Sequence, residues 1–146
     1  MEATGPGALQ VVRALEVPQA PLRAEWICRP FVEALSNGDI KTATACFARD
    51  ACLVTQDVTV VRGRDHIRPL LSQLVDRGIQ IRLEFSSTLI AGGVALAQEC
   101  WTIYVEGAED SLFEQTWMPT LVLRQIEEEW KLAVAAPWGW GYRFTL

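Results

Sequence analysis

The spacing of apolar residues changes once along this chain, at Gly78, and that change restricts the fold more than any other feature. Before it, Ile67, Leu70, Leu71, Leu74 and Val75 recur with the three-and-four spacing of one helix face. After it, Ile79, Ile81, Leu83 and Phe85 alternate with Gln80, Arg82, Glu84 and Ser86, which predicts a half-buried strand. More strands follow. Val94 to Val105 lies beyond a Gly92-Gly93 hairpin, Phe113 to Ile126 beyond a turn at Gly107 to Asp110, and Trp130 to Trp138 beyond Glu127 to Glu129. Pro119 predicts a bulge or an edge position. Connections this short make the strands antiparallel. Helices first and a strand meander afterwards predict an α+β fold with a curved, mainly antiparallel sheet wrapped around the helices.

The N-terminal half supplies those helices. Residues 1–20 read as an arm outside the fold and residues 21–146 as a single domain, the number of domains a chain of 146 residues fits. A first helix is expected from near Pro21, with Ile27, Phe31, Ala34 and Leu35 on its buried face. Pro30 removes an N–H from its middle and predicts a kink or a two-piece helix. Gly38 can take the positive φ that ends a helix, and Asp39 can accept from the free N–H groups of the next, Ile40 to Phe47. Cys52 to Gln56 and Thr59 to Arg62 read as short strands joined by a turn at Asp57. Pro69 suits the first turn or so of the long helix, and Arg77 with Gly78 closes it.

Charge and cysteine usage exclude several classes of partner. A net charge of −5 and a pI near 4.9 leave no basic stripe for nucleic acid or an acidic membrane surface. No apolar run reaches the roughly 18 residues needed to cross a bilayer. The N-terminus carries no basic segment followed by an apolar run, so a cytoplasmic protein is expected. Cys28, Cys46, Cys52 and Cys100 form no C-x-x-C pair and read as reduced, buried thiols. With no zinc spacing and no phosphate-cradling glycine loop, neither a metal nor a cofactor is predicted. Half of the residues are apolar and six are Trp, which predicts apolar surface covered by a partner subunit or a ligand.

The string from Asn37 to Ile67 carries a family signature: Asn37-Gly38-Asp39, then Phe47, Ala48, Asp50 and Ala51 as F-A-x-D-A, then Gly63 and Ile67 as G-x-x-x-I opening a helix. With the preceding PFVEALS it resembles the opening of the SnoaL-like and ketosteroid-isomerase-like families of the nuclear-transport-factor-like cone superfamily. The resemblance runs from about Ala24 to Gly139. It implies a conical fold with three N-terminal helices packed in the concave face of the sheet and a single cavity between them. Ketosteroid isomerase uses a Tyr on the first helix and a protonated Asp on a late strand as oxyanion donors, with an Asp base on the first strand. The resemblance puts Phe31, Thr55 and Leu121 at those positions. Phe31 and Leu121 have no group to donate to an oxyanion and Thr55 cannot act as a base at neutral pH, so steroid isomerisation by that route is not expected.

The resemblance also selects candidate lining residues. Gln98 and Cys100 share a strand face with Leu96, Thr102 and Tyr104, taken as the concave face; a shift of one residue would turn Glu99, Trp101 and Ile103 inward instead. Trp117 and Leu121 share another face, and Ala136 with Trp138 would close the cavity floor, although all four suit plain core packing equally well. Three acid-base candidates have simpler alternatives. His66 fits a solvated first turn, Asp57 a turn residue and Glu114 a solvated strand edge. The reading is of a protein binding a hydrophobic small molecule in an apolar, Trp-lined pocket, with isomerase, cyclase, dehydratase or hydrolase chemistry open. The alternative is a non-catalytic binding or assembly module whose cavity is filled by side chains. Both predict a homodimer through the outer sheet face.

Overall fold

The computed structural model of this chain describes residues 27–105 and 115–137. The expected arm, the helix start near Pro21, Glu114 and Trp138 lie outside the described residues. Among the described residues, three helices precede the long strands. Helix α1 is Arg29–Ser36, α2 is Ile40–Ala45 and α3 is Arg64–Asp76. The strands are β1 Phe47–Val54, β2 Val60–Arg62, β3 Ile79–Ala91, β4 Val94–Val105, β5 Gln115–Trp117, β6 Thr120–Ile126 and β7 Glu129–Ala136. They form one curved open sheet in the order β2-β1-β7-β6-β4-β3, with β5 on β4. Every pairing is antiparallel except β1 with β7. The α+β fold expected from the sequence is the observed one.

Local chemistry accounts for the helix ends. Pro30 sits in the first turn of α1, where its missing N–H costs nothing, so the expected interruption is a helix start among the described residues. Gly38 takes φ of 76° and the Asp39 carboxylate accepts from the Thr42 N–H at 3.1 Å, which turns α1 into α2. Helix α2 ends two residues before the expected Phe47, and that residue opens β1 instead. Lys131 Nζ donates to the Ala45 carbonyl at 2.8 Å and the Leu132 N–H to the Cys46 carbonyl at 2.8 Å, so residues of β7 finish the helix. Arg64 Nε donates to the Phe47 carbonyl at 3.1 Å where β1 begins. Ser36 ties α1 to the sheet by accepting from the Ile81 N–H at 2.9 Å.

Two bulges reset which side chains face the helices. In β3, Leu83 pairs with Trp101 but Phe85 pairs with Cys100, so Glu84 is an extra residue. The alternation expected to continue inward to Phe85 is broken there, and Phe85 is 62% exposed on the outer face. In β7, Val122 pairs with Val134 but Leu123 with Leu132, which makes Ala133 the extra residue. The expected strand from Phe113 to Ile126 is divided at Met118 and Pro119 into β5 and β6. Pro119 needs no ladder N–H there, and its carbonyl accepts from Glu99 N at 3.1 Å.

The core lies between the helices and the concave face. Phe31 of α1 meets Phe47 edge-on with centroids 5.3 Å apart, and Trp101 at 6.3 Å. Ala95 and Ala97 of β4 have no exposed surface, and Ile67 and Leu71 of α3 are equally buried against the sheet. Among the described residues no helix is long and apolar enough to cross a membrane.

Candidate functional site

A cavity of about 190 Å³ remains between α1, α3 and the sheet. Its wall is apolar. Phe31 and Leu35 come from α1, Leu70, Leu71 and Leu74 from α3, and Leu53, Trp101, Leu121 and Ala135 from the sheet. Each element exposes these residues for a local reason. The α3 stripe places Leu70, Leu71 and Leu74 on one face, and the pleat of β4 turns Trp101 toward them. Polar side chains collect at the mouth, where Gln56, Gln73 and Arg77 are exposed and Thr55 is half-buried.

The Thr55 hydroxyl is committed to its own turn. It donates to the Asp57 carboxylate and accepts from the Thr59 N–H at 3.1 Å. Asp57 also accepts from the Thr59 N–H at 3.3 Å, and these donors, the Thr55 hydroxyl first, hold its carboxyl below the usual range. Asp57 is a turn residue, and it does not line the cavity. His66 is exposed, its Nδ1 lies 3.1 Å from the Arg62 carbonyl, and it too is absent from the wall.

One buried carboxylate stands behind the wall. Glu99 is 3% exposed; its Oε1 accepts from Trp101 Nε1 at 2.7 Å and its Oε2 from the Ser86 hydroxyl at 3.0 Å. Burial pushes its carboxyl above the ordinary value, although donors on Trp101, Ser86 and Cys28 and the charge of Arg29 oppose the shift. The Cys28 thiol is raised well above its ordinary value, first by burial and then by Glu99. Among the described residues no cluster of metal-ligating side chains occurs.

The wall includes Phe31, Thr55, Trp117 and Leu121 of the residues expected there. Gln98 and Cys100 are corrections. They lie on the outer face of β4, because the inner register buries the bulky Trp101 and Ile103 together with Ala95 and Ala97. Ala136 is buried but does not line the cavity; the extra residue at Ala133 gives that role to Ala135 and Pro137. Sequence reasoning missed Arg77, Gln73 and Leu53, and turned Trp101 inward only in the alternative register of β4. The signal for the first two was present, since Gln73 and Arg77 are four residues apart on the same helix, beside the apolar stripe.

The sequence profile described as SnoaL-like domain matches residues 26–135. No curated protein matches the chain. Solved structures share its fold. An NTF2-like protein from Pseudomonas putida is 16% identical with a TM-score of 0.68, over 85% of each chain. An NTF2-like protein with a cystatin-like fold from Novosphingobium aromaticivorans is 17% identical with a TM-score of 0.66, over 100% of this chain and 98% of that one. A cystatin-like-fold protein from Nostoc punctiforme is 18% identical with a TM-score of 0.65, over 93% and 92%.

Proposed function

We propose that this chain, which belongs to the SnoaL-like domain family, binds a small apolar molecule in the cavity beneath α3. The observation that carries the reading is the apolar wall of Phe31, Leu71, Trp101 and Leu121 around an unfilled volume of about 190 Å³. An apolar cavity of about 150 Å³ in another protein stays dry and takes benzene, so this one suits an alkylbenzene or a short branched acyl chain. A polycyclic ligand is too large for it. Among the described residues no carboxylate or imidazole lines the wall, so binding and orientation are the roles they support, and acid-base chemistry by them is not proposed.

The volume also supports the second reading. It lies below the roughly 300 Å³ at which drug-sized sites begin, as a module held together mainly by its sheet would have. Titration with ethylbenzene separates the two readings. Saturable binding that vanishes in Leu74→Trp, with folding intact by circular dichroism, supports the ligand site. Absence of binding to the native chain overturns it.

We also propose that a second copy covers the outer sheet face. Leu89 pairs with Leu96, and Leu96 with Val122, to form an apolar band across β3, β4 and β6. Phe85 extends the same face.

A further inference from the structure

We infer that the ligand is a monocarboxylate, with its apolar body in the cavity and its carboxylate held at the mouth by Arg77. The inference rests on the cavity being a ligand site. Among the described residues, Arg77 is the one charged residue lining it, and Gln73 stands one helical turn before it on α3. The guanidinium makes no hydrogen bond or ion pair with any described residue.

The end of α3 leaves that guanidinium available. A basic residue in this position often serves the last carbonyls of its helix. Here backbone groups do so. The Arg77 N–H donates to the carbonyls of Gln73 and Leu74 at 3.2 Å each, and the Gly78 N–H to that of Val75 at 2.8 Å. The side chain therefore reaches the cavity mouth with its donors uncommitted.

Geometry and charge select the head group. A guanidinium presents parallel N–H donors that match a carboxylate two for two. One cation balances one negative charge, and among the described residues no second cation lines the mouth to pair with a phosphate dianion. Gln73, an amide beside the guanidinium, adds a neutral donor. The body is set by the volume, which leaves room for a phenyl ring or a short alkyl group but little more. Arylalkanoates and short branched alkanoates meet both conditions.

Calorimetry with 3-phenylpropanoate, 3-phenylpropanamide and ethylbenzene, on the native chain and on Arg77→Gln at low ionic strength, tests this. The acid should bind the native chain roughly tenfold more tightly than the amide, a typical size for one charge-assisted pair at a partly wet rim. Added salt should narrow the gap. Arg77→Gln should abolish the preference, with folding intact by circular dichroism. If acid and amide bind the native chain alike, or the preference survives in Arg77→Gln, the carboxylate assignment is overturned while the apolar site stands. If ethylbenzene does not bind the native chain, the site itself is overturned, and the assignment falls with it.

Discussion

The indole N–H of Trp101 donates to Glu99 Oε1 at 2.7 Å, two residues away on the inner face of β4. The ring that walls the cavity is thus fixed by a carboxylate outside it, and its one polar atom is turned away from any ligand. What the cavity presents at Trp101 is hydrocarbon.

Removing that acceptor leaves a buried donor unpaired, which costs about 1–3 kcal/mol. Glu99→Leu should lose stability on that scale in urea denaturation. Glu99→Gln, which keeps an acceptor oxygen, should lose less. Equal losses would mean that the bond to Trp101 contributes nothing specific.

Glu99 also sets a pH dependence. Burial raises its folded-state carboxyl above the ordinary 4.5, so the folded chain holds this proton at pH values where the unfolded chain has released it. Stability from this group is complete below 4.5 and declines as pH rises through the raised folded value. Urea midpoints of the native chain should therefore fall across that window. In Glu99→Gln the decline should flatten, and an unchanged slope would assign the pH dependence to other groups.

The hairpin between β6 and β7 turns on Glu127 and Glu128, with φ of 51° and 70°. Positive φ at both central residues of a two-residue hairpin favours Asn-Gly, and each non-glycine residue there costs about 1 kcal/mol. Glu127→Asn with Glu128→Gly should raise stability by about 1–2 kcal/mol. A loss in thermal midpoint would contradict the backbone geometry.

Cys28 is 1% exposed and its thiol is pushed well above the usual range, first by burial. It should resist Ellman's reagent in the native chain at pH 8 and react on unfolding. Mass mapping of modification at Cys28 before unfolding would show that the N-terminal end of α1 opens.

Phe85 is 62% exposed, and its neighbour across the pair is Cys100. If a second copy covers this face, Phe85→Glu should shift the chain from dimer to monomer by light scattering. A native chain that is monomeric at micromolar concentration would leave the face without its proposed cover.

Features fixed by short-range chemistry were legible in the residues. The Gly38 φ, the Asp39 cap, the apolar stripe of α3 and the Gly92-Gly93 hairpin depend on neighbours a few positions apart, and the structure has each of them. Phe31, Thr55 and Leu121 were placed at the cavity wall by the family resemblance, and Trp117 by sharing a strand face with Leu121.

Side-chain direction along the strands was decided elsewhere. One extra residue inverts every direction beyond it. Glu84 does this to Phe85, and Ala133 does it to Ala136. In β4 the choice fell to bulk, which drew Trp101 inward and left Gln98 and Cys100 outside. The sequence by itself determined the elements, their order and the fold class, since periodicity and capping are local. The cavity, its size, the fixing of Trp101 by Glu99 and the position of Arg77 at the mouth were decided only by tertiary structure. A bulge has no strong local signal, and its placement follows from how the whole sheet curves to cover the helices.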